Sequence, residues 1–184
     1  MLTQIHALLN SIAPVWQAFS PADLRAAAIL ALFAWLLTLE GRRGQRKIPA
    51  KTVRQSYFAN LGTFLLNDTL MSLMSVSALL LLAEQVSGYG LLSAISDPLL
   101  KSALSFLLFD LALYGWHRLN HTYDGLWMFH KVHHSDPDMN VTTAFRLHFV
   151  EVVLTTVVKA AFVVLTGVEA AVLIANEAII TLFI

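Results

Sequence analysis

There is no cysteine in the chain. That absence excludes a disulfide framework, a thiolate-ligated haem, a cysteine-bound iron–sulfur cluster and a cysteine nucleophile. Charge is scarce too: 13% of the 184 residues are Asp, Glu, Lys or Arg, against about 25% in an ordinary soluble domain. The 12 basic and 12 acidic side chains cancel, so no global field draws the chain to nucleic acid. No internal repeat or low-complexity tract is visible. What the sequence has in excess is apolar: 57% hydrophobic residues and a mean hydropathy of +0.67. The excess sits in runs long enough to cross a hydrocarbon layer, which excludes disorder and a water-soluble globule. His, Asp and Glu are left for metal or acid-base chemistry.

Residues 1–20 mix apolar and polar types, Pro14 and Pro21 interrupt any long helix, and the segment reads as short and interfacial. An apolar run from Leu24 to Leu39 is followed at once by Arg42, Arg43, Arg46, Lys47, Lys51 and Arg54. Positive charge after the apolar core, rather than before it, predicts a retained anchor, and it sets this loop on the cytoplasmic side. A second apolar stretch, Phe58 to Ala83, contains Asn67 and Asp68 and leads to a loop from Glu84 to Pro98 without Lys or Arg, as in a translocated loop. A third, Leu99 to Trp116, returns the chain to the basic side and delivers it into His117. Residues 117–151 are polar. Residues 152–184 are almost wholly apolar around Gly167 and Glu169, and predict two short helices that enter and leave on one side.

Five of the seven histidines fall between His117 and His134. His117 and His121 are four apart, as are His130 and His134, and each pair shares one helix face, close enough to hold one ion. His133 adds an imidazole about 100° around the helix. Gly125 marks a turn that lets the two pairs converge. A b-type haem is the other reading of paired histidines, but it needs one His per helix within the bilayer, whereas these lie in a polar segment. His6 reads as a solvated or structural histidine.

Asp110, Tyr114, His117 and His121 line one helix face at steps of 4, 3 and 4. Asp110 is either a functional carboxylate or a helix–helix hydrogen bond. Asp124 is a second acceptor for a ring N–H. His148 is either a further ligand or a tether to the headgroup region, with Arg146 and Glu151 near enough to act beside it. Asn176 and Glu177, inside the last apolar stretch, either line a cavity or bond between helices. Trp116, Tyr123, Trp127 and Phe129 read as an interfacial belt.

The run Phe109-Asp110, Tyr114, Trp116-His117-Arg118 and His121, then Leu126-Trp127-Met128-Phe129-His130 to His133-His134-Ser135, resembles the fatty acid hydroxylase and sterol desaturase superfamily. The two histidine groups stand as its HxxxH and HxxHH boxes, and Met139-Asn140 through Arg146-Leu147-His148 resembles its continuation. The resemblance is specific over residues 106–151. It implies two non-haem irons held by His117, His121, His130, His133 and His134, with His148 as an addition and Asp110, Tyr114, Asp124 and Arg146 around them. It also implies dioxygen-dependent hydroxylation or desaturation of a lipid C–H bond in a sterol, fatty acyl or related lipid. With no haem or Cys site to supply electrons, a separate electron-donor protein is implied. Members carry a further histidine box nearer the C-terminus and often Pro where Phe149 stands, so the sequence reads as a C-terminally truncated member.

The expected architecture is therefore all-α: a polytopic integral membrane protein with four or five membrane helices and a cytoplasmic histidine-rich helical site. It divides into a membrane region over 1–98 and a hydroxylase-like domain over 99–184, set in a bacterial inner membrane or the endoplasmic reticulum. Its partners are a lipid substrate, dioxygen, the electron donor and membrane lipids, with no nucleic acid. The alternatives are a membrane metal-binding or transport protein, whose path would use Asp68, Asp110 and Glu177, and a structural remnant with solvated histidines.

Overall fold

The computed structural model describes residues 21–43, 48–73 and 78–183, and no strand occurs among the described residues. The interfacial segment over 1–20 with His6, and Arg46 and Lys47 of the basic loop, lie outside them. The chain forms two compact units, Met1–Gly44 and Gln45–Ile184. In the first, the expected anchor run is helix α1 (Pro21–Arg43). The second contains α2 (Ala50–Leu73), α3 (Ala78–Val86), α4 (Pro98–Thr122), α5 (Asp124–His130), α6 (Phe149–Thr166) and α7 (Ala170–Phe183). Short 3-10 turns lie at Leu91–Ala94, His133–Ser135 and Val141–Phe145.

The helix ends follow from their residues. Asp97 caps α4 by accepting the Leu100 N–H at 2.7 Å, and Pro98 occupies the first turn, where its missing N–H costs nothing. Tyr123 is extended (φ −105°), which ends α4 and starts α5 in one residue. α6 stops at Gly167, which adopts the left-handed conformation (φ 64°) that an L side chain resists. α7 then folds back along α6, giving the expected helical hairpin.

Ala83, Leu92, Phe109, Phe162, Val163, Val168, Leu173 and Ile180 form one buried cluster. The Phe109 and Phe162 rings meet at 5.0 Å between α4 and α6. Asn176 donates to Ser105 Oγ at 3.0 Å, joining α7 to α4, and Lys159 pairs with Glu177 at 2.7 Å across the hairpin. Asn176 and Glu177 thus make interhelical bonds.

Among the described residues, α4 and α6 are the helices long and apolar enough to cross a membrane. Their apolar side chains largely face outward, with Leu99, Leu107 and Leu111 of α4 more than half exposed. α7, at 14 residues, reaches only about 21 Å, short of a hydrocarbon layer of about 30 Å. The stretch read as one span over 58–83 takes in the C-terminal part of α2 and most of α3, on either side of residues 74–77, which are not described. α2 is fastened to the rest of its unit by polar side chains. Ser56, Asn60 and Asn67 are buried, and Asn67 donates to the Leu147 carbonyl at 2.9 Å.

Candidate metal centre

His117 and His121 stand one turn apart at the end of α4, their Nε2 atoms 3.1 Å apart. The turn at Tyr123 and the seven residues of α5 bring His130 back against them. α5 gives way to a 3-10 turn after His130, yet Lys131 and Val132 keep right-handed helical backbone (φ −57° and −63°). The register between His130 and His134 therefore survives, with 3.1 Å between their Nε2 atoms.

The Nε2 atoms of His121, His130 and His134 form a triangle with edges of 3.2, 3.1 and 3.1 Å. His117 joins it through His121, and one donor atom from each of the four lies within 4.8 Å of the others. A metal bound at about 2.0–2.1 Å per nitrogen separates neighbouring donors by ~2.9 Å in an octahedron and ~3.4 Å in a tetrahedron, so the triangle fits either. A proton shared among three nitrogens satisfies one pair, whereas a cation engages all three.

The protonation pattern suits a cation. The His130 ring donates from Nδ1 to Glu151 Oε1 at 2.6 Å, both side chains at most 6% exposed, which leaves the Nε2 lone pair facing the triangle. Burial, and then the imidazoles of His134 and His121, push His130 down from 6.5 to about 4. Burial and then His121 also lower His134, against an opposing pull from Glu151. Neutral imidazoles are the form that binds metal.

The remaining expected residues are placed differently. His133 is buried; its Nδ1 donates to the Thr143 carbonyl at 3.2 Å and its ring stacks on His130 at 5.6 Å, outside the four-nitrogen group. The 100° step that separates it from its neighbours turns it toward the Val141–Phe145 turn. His148 caps α6 by accepting the Val150 N–H, and its ring packs on Phe129 at 4.9 Å. Arg146 reaches Asn60 Oδ1 at 3.4 Å. Asp110, Tyr114 and Asp124 are exposed and form no hydrogen bond with a described side chain of the cluster. Trp127 packs on His121 and His134 at 5.3 and 5.7 Å, and Trp116 donates to Thr155 Oγ1 at 2.8 Å, so both serve the site's walls.

Sequence reasoning did not place Glu151 on His130. It also missed Asp136, whose carboxylate accepts from Ser56, Asn60, Thr143 and the Asp138 N–H at 2.7–3.0 Å. Burial alone raises the Asp136 pKa, but these donors together hold it down at about 2. Asn140 Nδ2 and Thr63 Oγ1 add bonds to Ser56 Oγ and the Phe145 carbonyl, so α2 grips the whole loop behind the histidines. A cavity of about 260 Å³ opens beside the cluster, reaching from His117, His130 and Glu151 past Leu113 to Lys159 and Ile180.

Residues 102–184, which carry every one of these histidines, match the fatty acid hydroxylase family. This segment belongs to the fatty acid hydroxylase superfamily. The hydroxylase segment thus begins within α4 and includes the cluster, Glu151 and the α6–α7 hairpin. Alkylglycerol monooxygenase of Xenopus tropicalis is 42% identical over 48 residues, which are 26% of this chain and 11% of that protein. The match therefore spans little more than a tenth of that relative. No solved structure matches the chain.

Proposed function

We propose that the hydroxylase segment holds non-haem iron and serves dioxygen-dependent hydroxylation or desaturation of a lipid C–H bond. The observation that carries this reading is the triangle of Nε2 atoms in a fatty acid hydroxylase segment. His117, His121, His130 and His134 hold one iron, and His133 and His148 are the imidazoles in the segment left for a second. Imidazole suits iron, which when bound supplies the activation of dioxygen. The protein's part is to orient and enclose. Thr143 and Glu151 fix two of the rings, and Leu113, Leu147 and Ile180 give the adjoining cavity an apolar wall for an alkyl segment. An alkylglycerol, on which the similar monooxygenase acts by name, is one member of the substrate class. Electrons come from a separate donor protein.

The segment works in a membrane, with α4 and α6 crossing it and the histidines on the cytoplasmic side. Support comes from the outward apolar faces of these helices and from Lys51 and Arg54, within two turns of Ser56, which binds Asp136 of the histidine loop. Metal analysis of detergent-purified protein grown with added iron tests the assignment. Bound iron is expected in the wild type and a loss of most of it in His130→Ala; equal iron in the two overturns it.

A further inference from the structure

Glu151 stands at the start of α6, 21 positions after His130, and its side chain is 6% exposed. Such a group is retained in a protein interior only where a partner compensates its lost hydration. One oxygen has that partner, the His130 Nδ1–H at 2.6 Å. The other, Oε2, is buried without a hydrogen bond. The carboxylate is thus incompletely satisfied, and the contact it does make is with the ring at the centre of the cluster. Of the three triangle histidines, His130 is the most buried, and its Nε2 lies 3.2 and 3.1 Å from those of His121 and His134.

A carboxylate on Nδ1 does two things to an imidazole. It fixes the tautomer, so that the lone pair is on Nε2, and it makes that nitrogen a stronger donor, because charge drawn to a cation is replenished through the N–H. Both act at the atom that faces the triangle. We propose that Glu151 is the positioning residue of the metal centre: it selects the Nδ1–H tautomer of His130 and locks its ring so that Nε2 enters the donor triangle. This inference rests on the metal reading above.

The test uses the full chain in detergent, with Co²⁺ as the probe metal, for wild type, Glu151→Ala and Glu151→Gln. Affinity is measured by chelator competition, the Co²⁺ visible spectrum reports geometry, and ¹⁵N-imidazole NMR of the metal-free chain reports the His130 tautomer. Glu151→Ala is expected to lose about 10–100-fold in affinity. It should also show a shifted Co²⁺ spectrum and a His130 signal of mixed tautomers. Glu151→Gln, whose amide oxygen still accepts the N–H, should keep the tautomer and lose less affinity than Glu151→Ala. A merely structural role would move none of the spectral readouts in a variant that still folds. Should Glu151→Ala not fold, Glu151→Leu, which fills the space without an acceptor, decides: mixed His130 tautomers and weaker binding support the proposal, and wild-type tautomer and affinity overturn it. A wild type that binds Co²⁺ beside a folded Glu151→Ala of equal affinity, spectrum and tautomer overturns this inference alone. A wild type that binds no Co²⁺ overturns the metal reading and the inference with it.

Discussion

Asp136 and His130 are buried polar side chains with opposite requirements. Asp136 must stay charged, because its four donors all point at a carboxylate. In Asp136→Asn an amide NH₂ faces those donors, and with hydrogen bonds to charged groups worth about 1.5–3 kcal/mol each, the fold should lose at least about 2 kcal/mol. Urea or thermal denaturation in detergent checks this, and a loss below about 0.5 kcal/mol would refute the clamp. His130 must stay neutral. Burial and its imidazole neighbours hold it at about 4 against 6.5, so between these values the unfolded chain binds a proton that the folded chain does not. His130's contribution to the metal-free fold is therefore complete above pH 6.5 and is lost as pH falls toward 4. Melting temperatures at pH 7.5, 5.5 and 4.5 should fall in that order, and His130→Asn should flatten the slope. The histidine pairs were legible because i, i+4 spacing survives even where α5 gives way to a 3-10 turn. Glu151 and Asp136 were not, because their partners lie 21 and as many as 80 positions away, and nothing local marks a side chain chosen for a distant donor.

At the scale of elements, the apolar hairpin was readable from Gly167 in an otherwise apolar stretch, and the structure gives that glycine two reasons to be there. Its φ of 64° disfavours a side chain, and a Cβ would collide with the carbonyl of Tyr89 in the turn before α4. Gly90 approaches the same backbone from the other side, where a Cβ would meet Gly167 N at 2.7 Å. Two glycines thus let the α3–α4 connection pack on the α6–α7 turn. Gly167→Ala should lower stability by about 1–3 kcal/mol through the backbone conformation alone, with the collision adding to it. Gly62→Ala, in an exposed part of α2 where a Cβ meets nothing, should be neutral or stabilising. Comparable losses in both variants would remove the close approach as the cause. What sequence could not give was the fate of the 58–83 stretch. Nothing local shows that its Asn60 and Asn67 bond to groups on a loop more than 70 positions later.

For the whole molecule, the distribution of polar and apolar surface is the informative feature. Ser, Thr, Asn, Asp, Glu and His fill much of the interior around the cluster, while leucines of α4 cover its outside. That arrangement is costly in water and natural in lipid, where the outer face needs no polar cover and the polar groups pair within. On the proposed membrane reading, the two ends of α4, 25 residues and about 37 Å long, would lie on opposite sides of a hydrocarbon layer of about 30 Å. The lack of cysteine makes this directly measurable, since a single introduced thiol is the chain's only thiol. Ser96, before the N-terminus of α4, and Ser135, in the histidine loop beyond its C-terminus, are both exposed. With the chain expressed in intact cells, a membrane-impermeant maleimide should label Ser96→Cys directly and Ser135→Cys only after the membrane is opened. The reverse pattern would put the histidines on the outer side. Labelling of both without permeabilisation would mean that α4 does not cross, and the outward leucines would then need a protein partner to cover them.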